Sequence, residues 1–190
     1  MLVGSAISAS SSLRSGEFDP ALPHFNVRPR KLLSKMKSEV TLRQVEEEDL
    51  AVFFEQQLDP EATEMAAFPS RERDAFMAHW QKSMKDQSNL FKTIIFQGKV
   101  AGNVVSWEQD DERRVGYWLG KEYWNRGIAS SALSQFLKHV RVRPLFALVA
   151  ERNPASMRVL EKCGFTIAEE GTFSVADGKE EKEYVMRLGA

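Results

Sequence analysis

The chain has 190 residues, 43% hydrophobic and 28% charged, with a net charge of −1, which suits one soluble globular domain with a sizeable core. Residues 1–38 hold six Lys/Arg against Glu17 and Asp19, a surplus of +4 that leaves −5 on the remainder, too acidic a body to neutralise a nucleic-acid backbone. Cys163 is the only cysteine, which excludes an intrachain disulfide framework and fits a cytoplasmic setting, and no apolar run approaches the roughly 20 residues of a membrane-spanning helix.

In chain order, residues 1–38 read as a disordered or loosely attached extension. Residues 1–12 are small and apolar without a basic flank, so no secretory signal is expected, and Glu17 and Asp19 argue against a transit segment. Deleting residues 1–35 is expected to leave the melting temperature nearly unchanged; a large fall would show that the extension packs on the domain. The patterned domain spans 39–190. Residues 39–45 alternate as a strand with Val40 and Leu42 on one face. Residues 46–58 place Leu50, Phe53, Phe54 and Leu58 on one helical stripe. Residues 59–69, with a proline near each end, read as a loop with at most a helical turn, and Ser70 as the cap of a second helix whose Phe76, Met77, Trp80 and Met84 face the core.

Residues 90–96 and 99–108 read as a hairpin about Gln97-Gly98. A polar turn at Asp110, Asp111 and Glu112 leads into strand 114–119. A helix over 130–140 carries Leu133, Phe136, Leu137 and Val140 at helical spacing. Residues 145–150 are apolar without alternation, the pattern of a strand covered on both faces. Asn153 then caps a short helix with Pro154 at its first position, and Cys163-Gly164 closes it. Strands 165–168 and 183–188, joined by a turn at Ala176-Asp177-Gly178, complete an α/β chain: one mixed sheet with helices on its faces.

The most informative stretch is the turn at 123–129, Tyr-Trp-Asn-Arg-Gly-Ile-Ala, between strand and helix. A strand entering a helix through such a turn lines up unpaired N–H groups at the positive end of the helix dipole, a ready site for phosphate or pyrophosphate. A Cβ at Gly127 would hold the backbone away from that ligand. The turn lacks the Lys-Ser/Thr ending of a nucleotide-binding loop, which argues against phosphoryl transfer.

From 115 to 165 the chain resembles the GNAT superfamily of N-acetyltransferases, and the order of elements agrees from about 40 to 188. In that family the pyrophosphate turn runs Gln or Arg, two residues, Gly, one residue, Gly or Ala. Here the frame is Trp124-Asn125-Arg126-Gly127-Ile128-Ala129, with Trp at its first position. The Tyr-Trp pair before Arg-Gly-Ile-Ala is similar to the branch of ribosomal-protein N-terminal acetyltransferases. Asn153, Ser156, Arg158, Val159, Leu160, Glu161, Lys162 and Gly164-Phe165 match a second motif of that branch. The resemblance implies a mostly antiparallel sheet with strands splayed at the CoA site, acetyl-CoA as co-substrate, and a primary amine on a small molecule or protein N-terminus as acceptor. It assigns the pantetheine to the edge of strand 115–119 (Tyr117, Trp118, Leu119), with a bulge at Gly116. The pyrophosphate goes to Asn125, Arg126, Gly127, Ile128, Ala129 and Ser130, and the CoA arm and sulfur to Asn153 and Ser156.

Ser156 is the candidate donor to the departing thiolate. For the base, Glu108, Glu151 and a water chain all stay open. Asp59, Glu61 and Glu64 offer an acidic rim to a cationic amine, and Trp107 or Trp118 an acceptor wall. His24, His79 and His139 have no metal-ligand spacing, so no metal is expected. The expected partners are acetyl-CoA and an amine, without membrane or nucleic acid, for a monomer or homodimer. A non-catalytic acyl-CoA-binding sensor is the alternative.

Overall fold

The computed structural model describes residues 39–174 and 180–189. The N-terminal extension and the turn expected at Ala176-Asp177-Gly178 lie outside the described residues. In chain order come β1 (Val40–Arg43), α1 (Asp49–Gln57), α2 (Pro60–Ala66), α3 (Arg73–Lys85), β2 (Leu90–Phe96), β3 (Lys99–Gln109) and β4 (Glu112–Leu119). After a 3-10 turn at Lys121–Tyr123 follow α4 (Ile128–Phe136), β5 (Leu145–Ala150), α5 (Pro154–Lys162), β6 (Thr166–Ser174) and β7 (Glu180–Leu188). The strands form one mixed sheet in the order β1-β2-β3-β4-β5-β7-β6. Every pair is antiparallel except β4–β5.

Strand alternation sends side chains to two separate cores. Val105 joins Leu50, Phe53, Phe54, Phe76 and Trp80 beneath α1 and α3. Its neighbour Val104 joins Val115, Tyr117, Leu133, Phe136, Val149 and Leu160 beneath α4 and α5. Each fully buried Phe, Leu or Val contributes roughly 1.5–3 kcal/mol by leaving water, so both helix layers are firmly held. Asp49, 2% exposed, pins the start of α1 to β1 and β2. It accepts both arms of the Arg43 guanidinium at 2.6 Å and the Thr93 hydroxyl at 2.6 Å. Burial alone would raise its carboxyl, but Arg43, the Glu46 N–H and Thr93 together hold it below the usual range.

Several expectations need correction. Residues 60–66 form a whole helix: Asp59 Oδ1 accepts from the N–H groups of Glu61 and Ala62, with Pro60 in the first turn. Ser70 caps nothing. α3 starts at Arg73 without a side-chain cap, because the Gln57 side chain holds residue 71 by its backbone. Leu58 and Met84 sit at helix ends and are 46% and 39% exposed. On β5, Leu145, Ala147 and Val149 are buried whereas Phe146 and Leu148 are only half-buried. The first core does not extend over β5. No bulge occurs at Gly116; the β3–β4 register runs unbroken through Val105↔Gly116. The last two strands are longer than expected, nine residues each.

Candidate functional site

β4 and β5 are hydrogen-bonded only at Arg113↔Leu145 and Arg114↔Phe146. Beyond that point they part. From 115 to 119, β4 keeps β3 on one side, and β5 keeps β7 on its far side. The sheet therefore opens into a wedge with a free backbone edge on each wall. Gly102 secures the β3 side. A Cβ there would meet the Trp118 carbonyl oxygen at 1.9 Å, so only glycine lets β3 lie this close to the end of β4.

The wedge leads to a cleft of about 180 Å³ between the 124–130 turn and α5. Asn125 and Gly127 adopt left-handed conformations, φ 57° and 71°, which turn the chain sharply into α4. Among the described residues no side chain caps that helix, and its first backbone bond runs from the Ser131 N–H to the Gly127 oxygen. The N–H groups of Ile128, Ala129 and Ser130 thus have no helical acceptor, as the first turn of any helix dictates. A Cβ built on Gly127 meets nothing within 4 Å, so the space before the turn is open.

Of the residues expected at this site, Leu119, Asn125, Gly127, Ile128, Ala129 and Ser130 line the cleft together. The Leu119 carbonyl already accepts from the Trp124 indole N–H at 3.0 Å. Arg126 belongs to the turn by its backbone alone. Its guanidinium stacks 4.4 Å over the Phe96 ring and donates to the Glu122 oxygen, away from the cleft. The cations that do line it are Arg158 and Lys162 of α5. Their i,i+4 spacing, which puts both on one helix face, was the signal that could have found them.

Trp118 points to the other side of the sheet and donates from its indole to the Gln56 carbonyl at 3.3 Å. Asn153 and Ser156 are buried at 0% and 1% exposure beneath the wedge. Asn153 Oδ1 accepts from the Ser156 N–H at 2.9 Å, a helix cap as expected. The Ser156 hydroxyl lies 2.8 Å from the Tyr117 hydroxyl. Burial pushes the Tyr117 phenol upward against the opposing pull of Ser156, so it stays protonated at neutral pH.

Neither expected carboxylate reaches this cleft. Glu108 is exposed in register with Arg113, at the closed end of the wedge. Glu151 is exposed and engaged by Tyr184 and Lys182. Sequence reasoning gives Glu183 only as the first residue of the last strand, not as a site residue. It pairs with Ala150, which puts it on the same face as Leu148, across the wedge from β4. Desolvation raises its carboxyl, and Arg114 partly offsets the rise. Of the expected acidic rim, Asp59 and Glu61 share the single cation of Lys121.

Comparisons with known proteins agree with this geometry. Residues 39–166 match the model of the "Acetyltransferase (GNAT) domain". The chain is similar to the "Uncharacterized N-acetyltransferase p20" of Bacillus licheniformis, 27% identical over 140 residues, covering 66% of this chain and 78% of that one. It is also similar to the "Putative ribosomal N-acetyltransferase YdaF" of Bacillus subtilis (strain 168), 24% identical over 100 residues, covering 49% and 55%. The fold is similar to that of spermidine N-acetyltransferase from Vibrio cholerae in complex with CoA and spermine. The TM-score is 0.71 at 18% identity, covering 80% of this chain and 96% of that one.

Proposed function

The chain belongs to the GNAT acetyltransferase family, and on that premise we propose that it moves an acetyl group from acetyl-CoA to a primary amine by direct attack on the thioester. The observation that carries this reading is the end of β4–β5 pairing at Arg114↔Phe146, which leaves a free strand edge continuous with an open, amide-lined cleft. The residues present fit such a ligand. The N–H groups of Ile128, Ala129 and Ser130, with Asn125 and Gly127 shaping the turn, hold the diphosphate, and Arg158 and Lys162 add charge. The open edge of β4 at Tyr117 and Trp118 pairs with the peptide-like arm as an added strand would.

Acetyl-CoA supplies the activated acyl carbon. The amine nitrogen forms the new C–N bond as the C–S bond breaks, and the amine's proton passes to a base or to water. Ser156, with the Tyr117 hydroxyl behind it, donates a hydrogen bond to the departing sulfur. Asn153 holds Ser156 in place by its backbone. Glu183, partly desolvated and on the same sheet face as Leu148, joins Glu108 and Glu151 as a candidate base. Thiol release from acetyl-CoA over a panel of amines and N-terminal peptides tests the reading; binding without release across the panel would end it.

The engagement of Ser156 by Tyr117 favours a second reading, a module that binds acyl-CoA without turnover. Ser156→Ala separates the two. An enzyme using that hydroxyl loses roughly 10²-fold in kcat with acetyl-CoA affinity nearly intact. A sensor shows no turnover to lose.

A further inference from the structure

A second cleft, of about 160 Å³, opens on the opposite face of the sheet, between α3 and the β2–β3 hairpin. Arg71, Phe91, Val105 and Trp107 are among its walls. Val105 is in register with Gly116, where β4 still pairs with β3 but no longer with β5. This cleft therefore lies one strand from the wedge, where a nucleophile bound for the thioester must approach. A narrower pocket of about 20 Å³ shares Arg71 and His79 with it and runs inward to Asn103 and Trp118.

Arg71 is built into this place. The Gln57 side-chain amide, 5% exposed, accepts from the Arg71 N–H at 3.1 Å and donates to the Arg71 carbonyl at 2.7 Å. That two-point clamp fixes the backbone just ahead of α3. The guanidinium is half-buried and lies 4.8 Å from the Phe68 ring centre. Among the described residues it has no carboxylate partner and no hydrogen-bond acceptor. Nearby, Asn103 Oδ1 is buried with no donor among the described residues. Arg71 is partly desolvated and the Asn103 carbonyl lines the same inner pocket, so a ligand that reaches both gains from each. The fork of a guanidinium matches a carboxylate, and the carbonyl accepts from an N–H. The acidic groups at this cleft, Asp86 and Glu108, are exposed, and Asp86 already accepts from Ser88, so neither competes for Arg71.

We propose that this second cleft holds the acceptor and that Arg71 selects amines carrying a carboxylate, either an amino acid or an acidic residue next to a peptide N-terminus. The assignment rests on the acetyl-transfer reading above and narrows it. A polyamine places like charge beside Arg71 and is disfavoured.

The test compares thiol release with alanine against alaninamide, Ala-Glu-amide against Ala-Gln-amide, and spermidine, in the full chain and in Arg71→Gln and Arg71→Lys. The expected result is a preference of about ten-fold or more in kcat/KM for the carboxylate member of one pair. Which pair shows it distinguishes a free amino acid from an acidic peptide. Arg71→Gln removes the preference through the acceptor KM with the acetyl-CoA KM unchanged, and Arg71→Lys restores part of it. Equal use of both members, a preference for spermidine, or a preference that survives Arg71→Gln overturns the proposal. If nothing is acetylated, tryptophan fluorescence of the CoA-bound protein decides. Quenching by the carboxylate probes that Arg71→Gln weakens keeps the anion site while the transfer reading falls; no such quenching removes the site as well.

Discussion

The two clefts on either side of the sheet are made of different material. The one before α4 offers backbone groups, three amides of a first helical turn and a left-handed glycine, with Arg158 and Lys162 among its walls. The one beside α3 is mostly side chain, gathered from a helix, two strands and a clamped loop. Backbone amides recognise what every diphosphate offers, whatever the sequence around them. Side chains can be exchanged one at a time, so selectivity belongs on that side. One face is suited to a constant ligand and the other to a variable one.

The largest way to break this division is Gly127→Trp. The built Cβ meets open space, so the domain folds, at about 1 kcal/mol for a non-glycine residue at φ 71°. The indole then fills the approach to the amides. Acetyl-CoA affinity by calorimetry should fall by more than about a hundred-fold. Unchanged affinity would move the diphosphate elsewhere.

Asp49→Ala strikes the opposite face. It leaves Arg43 and Thr93 without their shared partner and should cost about 3 kcal/mol in denaturant unfolding, with the CoA affinity of the folded protein retained. The Asp49 carboxyl is depressed in the folded state. Its stabilisation is therefore fully present above the ordinary value of about 4 and is lost as pH falls through the lower folded value. Loss of stability at pH 7 well under 1 kcal/mol would show that the buried pair contributes little.

The smallest effect sharpens the claim that amides outweigh side chains in the first cleft. Arg158→Ala and Lys162→Ala should each weaken acetyl-CoA binding by only about two- to five-fold, and less at high salt. A loss rivalling that of Gly127→Trp would make the site a cationic one.

The same division explains what could be read in the sequence. The turn at 124–130 and the start of α5 are contiguous segments whose caps and glycines act locally, so Asn153, Pro154 and Gly127 declare themselves. The second cleft depends on long-range packing. Nothing near Arg71 in sequence announces that Gln57, fourteen positions earlier, will clamp it and delay α3 to Arg73. Ser70 fails as a cap for that reason. Helix 60–66 was legible after all in its Asp-Pro start, but a second proline nearby drew attention to a loop. Arg126 sits within the turn, yet its direction is set by Phe96, on β2, thirty positions away. Whether an apolar strand is covered on both faces depends on how far the helices extend, which Phe146 and Leu148 alone do not reveal.

Amide hydrogen exchange with and without CoA tests the central claim most directly. The account predicts new protection at two separated stretches, 128–130 and 115–119, with little change in the β2–β3 hairpin. Protection confined to the hairpin, or none at either stretch while CoA demonstrably binds, would contradict it.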